Sequence, residues 1–417
     1  MRRASAGKSD PQPGDPKVEG RRPEMARHHT RPRAGRTPEG PDLDPTWVSR
    51  VRERLVDWYA QAHRALPWRA DRDPYRVLVS EMMLVQTTVA AVVPSFERFI
   101  ARFPTVEALA EADEAEVLKL WEGLGYYRRA RQLHAAARAV VRDHGGAFPD
   151  DLEAIRALPG VGRYIAGAVL SIAFDRPEPI VEANTQRVLA RWLAWREDLR
   201  SPATQARLWL AAGRLVPPRG AGAFNQAFME LGALICTPRA PLCLVCPVAS
   251  ECRARALGLQ DDLPVTTPRP PPLAVAESCA VVVRRGRILI VRRGPGRLWE
   301  HFWEFPTIHR SGADPAGRSF GEPVDLAEGV RRLTGVRVTV GPVLRTLRYS
   351  VTKHRVELEA HEAVGLSDDL SPGPGLAQAT WESPESLANY PFGSAGRRLS
   401  GWVAGRRVGG GDPEHGG

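Results

Sequence analysis

Cys236, Cys243, Cys246 and Cys252 stand as C-x6-C-x2-C-x5-C in "CTPRAPLCLVCPVASEC", and no other stretch limits the possible folds as sharply. Four thiolates on one short loop can wrap a single inorganic centre, so the rest of the chain must hold that loop in one shape. All-sulfur ligation suits an iron–sulfur cluster or zinc. Zinc sites usually pair two short Cys–Cys hooks, and only one is present, but spacing alone leaves both metals open. Disulfides are disfavoured, because the N-terminus has no apolar signal-peptide core. The chain contains five cysteines. Their scarcity points to a reducing compartment, and the fifth, Cys279, is expected to be a free buried thiol.

A length of 417 residues suggests two or three domains. The formal net charge of +10 favours a polyanionic partner such as nucleic acid. No apolar run is long enough to cross a membrane. Residues 1–45 are rich in Pro, Gly and Arg and read as a disordered basic arm. The arm suits contact with DNA or a transit peptide, though Asp10, Asp15, Glu19 and Glu24 interrupt the latter pattern. Residues 46–256 read as helices, with Trp47, Val51, Leu55 and Trp58 at helical spacing, as are Leu133, Ala137 and Val141. Residues 257–274 read as a Pro-rich linker. Residues 275–400 change to strand patterns around one helix near Val324–Leu333, a small α+β domain. Residues 401–417 are expected to be a disordered tail. The fold class is therefore multidomain: an all-α domain with a cysteine loop, followed by an α+β domain.

Two local patterns carry chemistry. "LPGVG" places Gly160, Val161 and Gly162 between two helical segments. Such a hairpin turns backbone N–H groups and a helix N-terminus toward one point, which binds a phosphate without reading sequence. A glycine-capped turn is the plainer alternative. Glu81 stands in the apolar segment "VLVSEMMLV". Burial there would raise its pKa and keep it protonated, ready to act as a general acid. An exposed glutamate on a helix edge is the alternative.

The stretch "LPWRADRDPYRVLVSEMMLVQTTVAAVVPSFERF" resembles the A/G-specific adenine DNA glycosylases, MutY-type, of the helix-hairpin-helix, endonuclease-III-like superfamily. "LWEGLGYYRRARQLH" and "AFNQAFMELGALICTPRAPLCLVCP" resemble the same family, and the likeness spans roughly residues 46–400. It implies base excision repair: a monofunctional DNA glycosylase that hydrolyses the N-glycosidic bond of adenine mispaired with 8-oxoguanine or guanine. The cofactor implied is a 4Fe–4S cluster on the four loop cysteines. The partner implied is double-stranded DNA, with no membrane and a monomeric chain. The location implied is the cytoplasm of a bacterium, at the nucleoid, or the nucleus or an organelle in a eukaryote.

The resemblance also assigns roles. Glu81 matches the family's catalytic glutamate. Glu182 stands where the family has an aspartate, in "VEANTQRVLAR" rather than an Asp-Gly-Asn segment, with Asn184 two residues on. An ionised carboxylate there would stabilise the cationic sugar. Tyr164 occupies the position where the superfamily's lyase branch carries its Schiff-base lysine. Gln86 and Tyr126 match residues that wedge and stack beside the flipped base. Trp68 and Arg69 match the adenine-pocket wall, with a core tryptophan as the alternative for Trp68.

The C-terminal domain resembles the family's Nudix-like domain, most clearly in "RLWEHFWEFP" at 297–306. The helix of a hydrolytic Nudix box carries several glutamates, whereas "AEGVRRLTGVRV" keeps only Glu328. A recognition module is therefore expected, not a pyrophosphatase. The turn that reads 8-oxoguanine in the family, Phe-Ser/Thr-His, aligns with Val351, Thr352 and Lys353, and His354 follows. Three competing readings are a lyase on oxidised pyrimidines, a nucleotide pyrophosphatase and a non-catalytic iron–sulfur DNA-binding protein.

Overall fold

The computed structural model describes residues 41–268, 270–295, 300–311, 325–351 and 353–405. Residues 1–40 of the expected arm, residues 297–299 of the "RLWEHFWEFP" block, Thr352 and residues 406–417 lie outside the described residues.

The first half is helical: α1 Pro45–Ala62, α2 Pro74–Leu84, α3 Val89–Arg102, α4 Val106–Glu111, α5 Glu114–Leu120, α6 Arg128–His144, α7 Leu152–Ala157, α8 Arg163–Phe174, α9 Ala183–Trp192, α10 Pro202–Leu215, α11 Ala221–Leu234 and α12 Arg253–Ala256. The sequence writes several of these starts directly. Asp44, Asp73 and Ser201 each precede a proline at the first helical position, and each accepts a backbone N–H of the first turn, from Thr46, Tyr75 and Thr204. Asp44 and Leu43 therefore belong to the folded domain and not to the arm, because the cap and the packing of Leu43 require them.

The helices build two cores. One gathers α2 to α8 around Phe96, Phe99, Trp121 and Leu133. The other gathers α1, α9, α10 and α11 around Leu55, Trp192, Phe224 and Phe228, with Cys236, Cys246 and Cys252 packed against it. Helix α8 is buried along most of its length, as its nearly unbroken apolar sequence requires. Helix α11 meets it without a side chain between them: a Cβ on Gly222 would lie 2.5 Å from the Ser171 carbonyl oxygen. No helix among the described residues is long and apolar enough to cross a membrane.

The second half comprises β1 Leu273–Arg284, β2 Arg287–Arg293, β3 Trp303–Glu304, β4 Thr307–Ser311, α13 Leu326–Thr334, β5 Val338–Val351, β6 His354–Gly365, β7 Leu376–Glu382 and α14 Ser394–Gly405. The sheet order is β3-β2-β1-β6-β5, with β4 also paired to β1 and β7 to β2. Strands β1 and β6 run parallel, with Cys279 opposite Ala360. Alternation along β1 splits its side chains: Cys279 and Val281 face a core shared with Phe305 and Leu399, and Ala280 and Val282 face one shared with Val330. Helices thus cover both faces. Cys279 is the free, buried thiol expected.

Three expectations need correction. Strand β1 begins at Leu273, inside the expected linker, and Leu263 is buried with its carbonyl accepting from Arg191 Nε at 2.9 Å. Residues 401–405 continue α14, because Val403 packs into the sheet core with Leu399. The lone helix of this half runs over Leu326–Thr334, capped by Asp325, and a second helix, α14, follows it.

Candidate active site

A cleft of about 400 Å³ opens at the seam between the two helical cores. Helix α2 brings Glu81 to it, α8 brings Tyr164, the start of α9 brings Glu182 and Asn184, and α11 brings Met229 and Glu230. Trp68, Arg69 and Gln86 also line it. Residues that lie up to about 160 positions apart in sequence thus meet in one cavity.

Glu81 is 3% exposed. Burial pushes its carboxyl up to about 7, against the pull of a hydrogen bond from the Tyr164 hydroxyl to Oε2. Tyr164 also reaches Met229 Sδ at 3.5 Å, and burial beside two carboxylates drives its phenol well up. Glu182 is the N-cap of α9: its Oε2 accepts from the Asn184 backbone N–H at 2.8 Å and its Oε1 from that of Thr185 at 2.9 Å. Burial raises its pKa on balance, against the pull of those two N–H groups. Asn184 Oδ1 accepts from Arg187 Nη2 at 2.8 Å, and α11 approaches so closely that a Cβ on Gly232 would stand 2.6 Å from the Asn184 Cβ.

Trp68 serves as both core and wall, stacked edge-on against Phe96 with ring centres 5.4 Å apart while lining the cleft. Arg69 is fixed by a residue the sequence reading did not single out. Glu230, 1% exposed, accepts from Arg69 Nη2 at 3.0 Å and from Arg64 Nε and Nη2 at 2.8 and 2.6 Å. Although Glu230 is buried, these bonds hold its carboxyl down to about 2. Nothing local in "FMELG" marks Glu230 as charged and buried, because its partners lie more than 160 positions away.

The hairpin lies outside the cleft. Gly160 adopts φ 76°, and Gly162 leads into α8 with no side chain over the helix end. Val161 is buried, whereas Gly160 and Gly162 are exposed, so the free N–H groups of the first turn of α8 face outward.

A second cleft, of about 700 Å³, is lined by Gln86, Tyr126, Arg128, Arg131 and Gln132 on one side and Tyr349, Ser350 and Val351 on the other. Gln86 and Tyr126 both hold left-handed backbone, φ 61° and 48°, a conformation kept where the surroundings impose it. Arg129, also missed in the sequence, joins them. It donates to the carbonyls of Met82 and Met83, at the end of α2, and to those of Leu124 and Gly125. It was one of several arginines in "YYRRAR", and only the fold separates it from its neighbours. Lys353 is exposed in the β5–β6 turn. His354 is not presented with it: it is 2% exposed within the sheet, so it does not reach the surface as a reader of DNA bases. Glu328 on α13 is tied to Arg331 and Arg332 at 2.6 and 2.7 Å.

The four loop cysteines are unpaired. Arg191 Nη1 donates to Cys236 Sγ at 3.3 Å, and the Cys246 thiol is pushed up to about 12, by burial first and then by Cys236, Cys252 and Cys243. Among the described residues, no three His, Cys, Asp or Glu side chains converge on a single metal ion. Four thiol side chains on one loop are a donor set that suits an iron–sulfur cluster or a zinc ion.

Residues 79–212 match the model of the HhH-GPD superfamily base excision DNA repair protein, and residues 278–400 match that of the NUDIX domain. The chain is 43% identical to the adenine DNA glycosylase of Mus musculus over 60% of this chain and 49% of that protein. It is 42% identical to that of Mycolicibacterium smegmatis over 49% and 69% of the two chains. It is 32% identical to that of Buchnera aphidicola subsp. Schizaphis graminum over 61% and 74%. The match thus spans about half the length of the mouse relative.

Proposed function

Since the chain belongs to the adenine DNA glycosylase family, we propose that it excises adenine placed opposite 8-oxoguanine or guanine in double-stranded DNA, by hydrolysis of the N-glycosidic bond. The observation that carries this reading is Glu81, buried at the end of a base-sized cleft and poised to titrate near 7.

A flipped base enters the cleft against Trp68 and Arg69. With Oε2 of Glu81 held by Tyr164, Oε1 is left to pass its proton to a purine ring nitrogen. The C1′–N9 bond then breaks, the pair of electrons leaving with neutral adenine. Glu182, ionised at the helix start, faces the positive sugar. Water adds to C1′ and its proton passes to the Glu81 carboxylate, which leaves an abasic site and restores the acid. Glu182→Gln should therefore slow single-turnover excision while its amide keeps part of the cap; near-normal excision would move the stabilising charge elsewhere.

Gly160 and Gly162 and the start of α8 suit a phosphate of the backbone. The second cleft suits the base opposite adenine, between Gln86 and Tyr126 and the β5 residues Ser350 and Val351. The decisive assay compares duplexes that differ only in the base opposite adenine. Excision should be efficient opposite 8-oxoguanine and guanine; equal excision opposite all bases, or none, would overturn the reading.

The reading is monofunctional. A phenol at Tyr164 cannot form an imine with the sugar, so borohydride should trap no covalent complex with DNA. Trapping at wild-type protein would place the chain in the lyase branch.

Cys236, Cys243, Cys246 and Cys252 would hold a 4Fe–4S cluster, which would fix the loop against α9 through Arg191. Purified protein should carry about four irons per chain and absorb as a brown cluster. Stoichiometric zinc without iron would overturn this.

A further inference from the structure

We propose that Arg397, on the C-terminal helix, is a positioning residue for excision that acts through Glu122 on the loop carrying Tyr126; the proposal rests on the glycosylase reading above.

The loop between α5 and α6 does not hold itself in shape. Gly123, Gly125 and Tyr126 have φ of 92°, 68° and 48°, so three of four consecutive residues leave the ordinary backbone regions. Tyr126 is 49% exposed at its tip. The loop's one acid, Glu122, turns to the other domain. Its carboxylate accepts from Arg397 Nε at 2.8 Å and Nη2 at 2.7 Å, and from the Phe392 backbone N–H at 3.0 Å. Arg397 in turn donates to the carbonyls of Leu387 and Tyr390 in its own domain. A two-pronged guanidinium–carboxylate contact with a third donor sets direction as well as distance.

Two further ties lie beyond Tyr126 in the chain. The Tyr127 and Phe302 rings stand 4.1 Å apart, and Arg131 Nη1 donates to the Glu300 carbonyl at 3.0 Å. Arg129 then carries the loop's position to the end of α2, which bears Glu81 and leads into Gln86. The sheet domain thereby grips the segment that carries Tyr126, which on the glycosylase reading faces the opened base stack. Loosening it should misplace Tyr126 and, through α2, the acid.

The test uses the full chain as wild type, Arg397→Glu, Glu122→Arg and the charge-swapped double variant, with Arg397→Lys as the mild substitution. Single-turnover excision and duplex affinity are measured, together with hydrogen exchange of the 121–127 amides. Each single charge reversal should cut excision by roughly tenfold or more and speed exchange in the loop, and the double variant should recover both. Arg397→Lys, which keeps charge but loses the fork, should fall between. Singles that match wild type in excision and exchange would overturn the proposal, as would a double variant no better than the worse single. Failure of the glycosylase reading looks different: wild type itself is inactive, and loop exchange and affinity still decide the clamp.

Discussion

Glu81→Gln is expected to lower single-turnover excision by about 10²-fold or more while duplex affinity persists. The amide keeps the shape of the carboxyl and can still accept from Tyr164, but it has no proton to give. Because burial raises the Glu81 carboxyl to about 7, the wild-type rate should fall as pH rises through about 7, where the donor is lost, and fall again in acid, where Glu182 takes up a proton. Glu81→Gln should lose this alkaline limb from whatever rate remains. The same shift has a stability sign. The folded state holds the proton more tightly than the unfolded chain, so this group's contribution is full below the usual carboxylate range and fades as pH climbs through about 7. A wild-type-like rate in Glu81→Gln, or an unchanged pH profile, would remove Glu81 as the acid.

Much of the site was legible because its chemistry is written locally. The cysteine loop, the Gly-x-Gly hairpin and the apolar run around Glu81 are each contained in a short stretch, and short stretches survive into the fold. What escaped was long-range. Glu230 meets Arg69 from 161 positions away, and Glu122 meets Arg397 from 275. Neither pairing leaves a mark in the periodicity of either segment. Arg129 was hidden among neighbours of the same type. The inward placement of His354 does have a signal in the sequence. It stands in phase with Val356, Leu358 and Ala360, the buried positions of β6, so strand alternation placed it inward. The turn beside it suggested an exposed reader, and the sheet period prevailed. The start of β1 at Leu273 has a similar cause: a proline-rich run ended where pairing to His354 could begin.

Glu230→Ala should cost about 3–5 kcal/mol of stability, the range for removing one partner of a buried ion pair. Glu230 is nearly inaccessible, and the side chain of Arg69 keeps only 11% of its exposure. Without the carboxylate, the Arg69 guanidinium loses its direct charge partner at the cleft wall, keeping a bond to the Arg64 carbonyl and the face of Tyr59. Arg64, a third exposed, can turn to water and loses less. Glu230→Gln should fall between, since it preserves an acceptor but not the charge. The pH dependence follows from the carboxyl being held down to about 2. Its stabilisation is present in full above the unfolded carboxylate range and is lost as pH falls toward about 2, so the variant and wild type should converge in acid. Urea midpoints measured at neutral pH and across the acid range read this directly. Equal midpoints at neutral pH would mean that the two arginines find other partners. Excision should fall with stability: Arg69 lines the cleft, and on the proposed reading a wall free to move no longer holds the purine nitrogen before Glu81.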